Sequence, residues 1–118
     1  MKSESEIFLF GDQVEIEEFQ PGMSRQILGY NHEIMIVKVY FKAGSEGYQH
    51  EHRHSQSTYI ESGVFDVTID GKTERQRAGD GFFIPPHTMH GAICVEDGVL
   101  IDVFSPVRED FLTQGDEK

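Results

Sequence analysis

The chain has no tryptophan, a single cysteine and four prolines among its 118 residues. One thiol, Cys94, cannot close an internal disulfide, so a hydrophobic core rather than a cystine framework must hold the fold. Basic residues are scarce: 10 Lys and Arg face 21 Asp and Glu, a formal net charge of -11. That balance excludes nucleic acid as a partner, because phosphate binding requires clustered cations, and it opposes adhesion to anionic lipid. Long apolar runs are also missing. The opening "MKSESEIFLFGD" carries an apolar stretch too short for a secretory signal. Nothing approaches the roughly 18–20 apolar residues of a spanning helix. A cytoplasmic protein with no membrane partner is the expectation.

What is abundant points to strands. Twelve glycines supply tight turns, and nine Phe with four Tyr can fill an interior. The run 33–41, "EIMIVKVYF", is rich in β-branched and aromatic residues. Residues 57–63 make a further short run. In 64–77 Phe65, Val67 and Ile69 share one face and Asp66 and Thr68 the other, with Asp70-Gly71 as the hairpin turn. A glycine turn, a short strand and a proline stop fill 78–86. Two more strands, 91–95 and 98–104, are expected to pair across Glu96-Asp97. Only "VREDFL" (107–112) suits a turn or two of helix. The chain therefore reads as one all-β domain, a sandwich or barrel, with at most a short C-terminal helix. Residues 1–6 and 114–118 are expected to fray.

Half of the six histidines fall within five residues, in "GYQHEHRHSQSTYIESG" (47–63). Residues two apart on a strand point the same way, so His50 and His52 can aim two imidazoles at one point. His54 and Gln56 share that parity, which leaves the third ligand open. A second polar cluster, "PPHTMHG", lies about 30 residues on, after another strand, and holds His87 and His90. His32, beside Asn31, reads as a surface loop residue.

The two clusters resemble the paired motifs of the cupins. Gly44, His50, His52, Gln56 and Gly63 follow the first motif, G-x5-H-x-H-x3-4-E-x6-G, with Gln in place of Glu. Gly79, Pro85 and His90 follow the second, G-x5-P-x-G-x2-H-x3-N, with His87 in place of Gly and Cys94 in place of Asn. The resemblance implies a six- to eight-stranded jelly-roll barrel holding one divalent transition metal ion on His50, His52, Gln56 and His90. His54 and His87 would flank the site, and Cys94 would be a buried apolar residue. The neutral Gln56 would leave the ion its full formal charge and favour an anionic ligand. Nickel, zinc, iron and manganese all suit such donors.

The segment 84–112, and with it most of the chain from 27 onward, is similar to the pectin-degradation cupins of the KdgF type, above all in "DVFSPVREDF" (102–111). Those proteins convert cyclic 4,5-unsaturated monouronates, released by pectin and alginate lyases, to linear keto acids. The resemblance implies that activity, with a sugar acid as the small-molecule partner. Asp102 would shuttle the proton, Arg108 would clamp the carboxylate, Phe104 would pack on the sugar ring, and Gln56 would touch metal, substrate or both. Asp102 and Phe104 have one strand parity, so both can face one cavity. The structural alternatives are that Asp102 ends a strand or pairs with Arg108, and that Phe104 is core. The resemblance further implies a homodimer. Competing functions are another metal-dependent cupin enzyme, such as a dioxygenase, and a non-catalytic sugar-acid-binding cupin.

Overall fold

The computed structural model describes residues 2–113. The strands are β1 (Glu17–Gln20), β2 (Met23–Tyr30), β3 (Met35–Phe41), β4 (Glu46–His50), β5 (Ser55–Ile69), β6 (Lys72–Arg77), β7 (Gly81–Ile84) and β8 (His90–Ser105), followed by one short helix, α1 (Glu109–Thr113). β3 shows why they form: Met35, Val37, Val39 and Phe41 are buried and the residues between them are not. β-branched and aromatic side chains on that alternate face pack well on a pleated surface.

All pairings are antiparallel, in the order β1-β2-β3-β8-β5-β6, with β4 added to β8 and β7 to β5. The two long strands β5 and β8 pair along almost their whole length and divide their other partners. The later half of β8, Gly98–Phe104, also pairs with β3, and the early half of β5 with β7. The early half of β8 meets β4, and the later half of β5 meets β6. The sheet is thus folded over into two layers, the jelly-roll arrangement. Phe65, Val67, Cys94, Leu100, Ile60 and the inward face of β3 fill the space between them.

Two expectations need correction. Residues 91–95 and 98–104 are not a hairpin: they are one strand, β8, that bends. Likewise 57–63 and 64–69 join as β5. Glycine marks the bend in both strands, not a chain reversal. A Cβ on Gly63 would stand 2.5 Å from the Gly98 Cα, and one on Gly98 would stand 2.4 Å from the Ser62 carbonyl oxygen. The backbones touch where they cross the corner, and only glycine fits there.

The β5–β6 hairpin forms on Asp70 and Gly71, both at positive φ, as the mirror-image turn requires. α1 lies within two residues of the expected 107–112. The start of the chain is not loose throughout. Ser5 N–H donates to the Tyr30 carbonyl, and the Tyr30 hydroxyl donates to the Lys2 carbonyl. Residues 114–118 lie outside the described residues.

Candidate metal centre

Three imidazoles from two distant parts of the chain converge. Ring nitrogens of His50, His52 and His90 all lie within 4.8 Å of one another. The ring centroids are 4.4 Å apart for His50–His90 and 4.8 Å for His52–His90. The strand register explains half of this, since His50 on β4 pairs with His90 on β8. Strand parity does not explain the rest, because β4 ends at His50 and His52 sits in the following loop. That loop is pinned from outside: the His87 N–H donates to the His52 carbonyl at 2.7 Å.

Backbone carbonyls set the tautomers. Nδ1 of His50 meets the Tyr48 carbonyl at 2.8 Å, Nδ1 of His52 meets that of His54 at 3.0 Å, and Nδ1 of His90 meets that of Thr88 at 2.8 Å. A carbonyl only accepts, so each Nδ1 carries the proton and each Nε2 offers a lone pair. Burial pushes the His90 pKa down to about 4 and lowers that of His52, which keeps both rings neutral and able to ligate at pH 7.

Gln56, buried on β5, completes the donor set. Its amide nitrogen donates to Thr58 Oγ1 at 3.0 Å and to Asp102 Oδ1 at 3.3 Å. Its amide oxygen therefore faces Nε2 of His52, 3.1 Å away. Both facing atoms are acceptors, and a cation between them satisfies both. Donors bound to one ion at about 2.1 Å stand roughly 3–3.5 Å apart, so the spacing suits a transition metal. The residues present fit one divalent ion on His50, His52, His90 and Gln56; the donors do not select among the four metals expected.

His50, Gln56, His90, Asp102, Phe104 and Arg108 line one cavity of about 400 Å³. Asp102 hangs from β8, opposite Thr58 in the register. Its Oδ1 accepts from the Thr58 hydroxyl at 2.7 Å as well as from Gln56. Burial raises its pKa to about 6, against the opposing pull of Thr58 and Arg108. Phe104 is buried and belongs to the core while its ring also meets His52 edge-on at 5.9 Å, so its structural and cavity-lining roles coincide. Arg108 does not pair with Asp102. Its Nε and Nη2 grip both oxygens of Asp110, and its guanidinium rests on Phe104 and Phe111.

The flanking residues part company. His54 is buried and turned away; its Nε2 meets Glu109 Oε1 at 3.3 Å, and Arg53 binds the same carboxylate. His87 is exposed and has φ 59, the left-handed conformation that explains glycine at this motif position. His32 is exposed in a loop. Cys94 is buried, donates to the Glu96 carbonyl and has its pKa raised to about 11 by burial, which suits an apolar filler. Sequence reasoning missed Thr58 and Arg25. Thr58 carries a readable signal, since it stands two residues beyond Gln56 on one strand face.

The chain belongs to the cupin family: the family model described as "Cupin domain" matches residues 37–104. Among curated proteins it is 37% identical over 107 residues to pectin degradation protein KdgF of Dickeya dadantii (strain 3937), covering 89% of this chain and 97% of that one. The solved structure of KdgF from Halomonas sp. superposes with a TM-score of 0.86 at 37% identity, over 91% of this chain and 99% of that one. An RmlC-like cupin from Shewanella frigidimarina NCIMB 400 superposes with a TM-score of 0.92 at 55% identity, over 93% and 99%.

Proposed function

We propose that this protein is a metal-dependent enzyme of pectin and alginate breakdown that linearises cyclic 4,5-unsaturated monouronates to 4-deoxy-5-keto uronates. The observation that carries the proposal is the shared cavity: His50, His90, Gln56, Asp102, Phe104 and Arg108 all line it. The similarity to two KdgF proteins supports the choice of substrate.

The reaction moves one proton and needs no oxidant. Loss of the anomeric hydroxyl proton breaks the bond from carbon 1 to the ring oxygen. An aldehyde forms at carbon 1, and the former ring oxygen becomes an enolate on carbon 5. Protonation at carbon 4 then yields the 5-keto acid. A divalent ion on His50, His52, His90 and Gln56 would supply Lewis acidity to the oxygens at the carboxylate end. Asp102 takes the hydroxyl proton and returns it to carbon 4; a carboxyl held near pH 6 does both at neutral pH. Thr58 and Gln56 hold Asp102 Oδ1 in place. Arg108, braced by Asp110, presents its charge to the substrate carboxylate. Phe104 packs on the ring and keeps water out.

A cytoplasmic homodimer is part of the proposal. Ile7, Phe8 and Phe10 are exposed on the N-terminal segment, and a second copy would cover them. Sedimentation at twice 13.4 kDa supports that element, and a monomer removes it.

The test is loss of ultraviolet absorbance from lyase-generated unsaturated monouronate, after subtracting spontaneous opening. Metal-loaded protein is expected to accelerate the loss and chelator to abolish the acceleration. No acceleration overturns the enzyme reading, and tight binding without turnover makes the protein a sugar-acid-binding cupin.

A further inference from the structure

The cavity holds a second guanidinium. Arg25, on β2, lines it and is 5% exposed. Its Nε donates to Glu17 on β1 at 2.9 Å. Its guanidinium carbon lies 4.1 Å from the Phe111 centroid and 4.7 Å from that of Phe19. Arg108 sits against the same Phe111 ring at 4.2 Å. Both guanidiniums therefore pack on the one phenyl ring.

His52, Phe104 and Phe111 are in successive ring contact, at 5.9 and 5.7 Å, and Arg25 packs on Phe111 and Phe19. Phe19, Arg25 and Phe111 line the same cavity as Phe104 and Arg108. A cavity of about 400 Å³ leaves room beside one sugar ring.

We propose that Phe19, Arg25 and Phe111 form a second acidic-sugar position, in which Arg25 takes the carboxylate of a uronate unit linked to the one held at Arg108. The inference rests on the monouronate reading and extends it to a di-uronide. In an unsaturated di-uronide the reacting ring is a glycoside, and its anomeric oxygen carries no proton to lose. Such a molecule binds without opening and competes with the monouronate. Hydrolysis of the glycosidic link must then precede ring opening in the reaction sequence.

The experiment is calorimetric titration of metal-loaded protein with galacturonate and with digalacturonate, both stable probes. Wild type is expected to bind digalacturonate about tenfold more tightly, the contribution of one charge-assisted carboxylate contact. Arg25→Met keeps a long side chain between Phe19 and Phe111 and should bring the ratio of the two affinities near one. Glu17→Gln removes the Glu17 carboxylate from the guanidinium while leaving the guanidinium in place, and should hold the ratio at or above the wild-type value. It also decides the matter if Arg25→Met fails to fold. A wild-type ratio near one, a ratio unchanged in Arg25→Met, or a fall in Glu17→Gln overturns the inference. If unsaturated monouronate is turned over but digalacturonate binds no better, only this inference fails. If unsaturated monouronate is not turned over, the monouronate reading fails with it.

Discussion

The amide oxygen of Gln56 faces Nε2 of His52 across 3.1 Å, with no proton available to either atom. The contact makes sense around a cation, and it makes the charge at position 56 an adjustable property of the site. Gln56→Glu adds a carboxylate that binds the ion more strongly but neutralises part of its charge and repels an anionic substrate. It also sets a second negative group beside Asp102 Oδ1. We expect metal retained against chelator at about tenfold higher concentration and a fall in kcat/KM of tenfold or more, on the order of 1.4 kcal/mol each. Metal analysis after dialysis, together with the uronate assay, checks both.

Asp102 combines a cost in stability with the proton-shuttle role proposed for it. Its folded pKa is about 6 against an ordinary value of 3.8. Between those values the folded chain binds more protons than the unfolded one, so stability falls as pH rises through the window. Below about pH 4 the penalty is absent; above about pH 6 it is complete, at most on the order of 3 kcal/mol. The hydrogen bonds from Gln56 and Thr58 both reach Oδ1, which Asn retains. In metal-stripped protein, Asp102→Asn should therefore unfold at a higher temperature than wild type at pH 8, with the advantage fading towards pH 4. The metal-loaded variant should lose at least about 100-fold in turnover. Melting curves across pH and the uronate assay test the two halves independently.

Much of this architecture was legible in the sequence because two kinds of signal agreed. β-branched and aromatic enrichment located β3, alternation located the core face of β5, the Asp70-Gly71 turn located β6, and motif spacing brought His90 to His50. The route to His52 was not legible: parity predicted its orientation from a strand that ends at His50, whereas the His87 amide holds the loop. β2 escaped because its buried positions include Arg25 and Gln26, so polar residues interrupt the expected apolar face. The strand break after Gly63 and the reversal at Glu96-Asp97 that the sequence suggests are bends within β5 and β8, because local sequence does not distinguish a reversal from a bend under a crossing strand.

That corner gives a stability contrast. Gly63 and Gly44 both have φ 88, yet a Cβ on Gly63 meets the Gly98 Cα at 2.5 Å while one on Gly44 meets nothing within 4 Å. Gly44→Ala carries only the left-handed penalty, roughly 1–2 kcal/mol. Gly63→Ala adds a backbone clash and should cost more than about 3 kcal/mol. Urea unfolding of the two variants checks the order; equal costs would mean that the corner opens freely.

His87 and His90 separate the metal site from its support. His90 is buried with its Nε2 turned to the other imidazoles, so His90→Ala should leave purified protein with little bound metal. His87 is exposed, and its Nδ1 lies 3.8 Å from Glu51, a distance at which a surface pair contributes little. Its contribution is the backbone N–H to the His52 carbonyl, which any residue except proline supplies. The residue holds φ 59 at a cost of about 1–2 kcal/mol for a side chain with Cβ, against roughly 0.5–1 kcal/mol of extra chain entropy for glycine. His87→Gly should accordingly raise stability by about 0.5–1 kcal/mol while metal content and uronate turnover stay at wild-type levels. Loss of metal in His87→Gly would make the imidazole a ligand and would contradict the four-donor site.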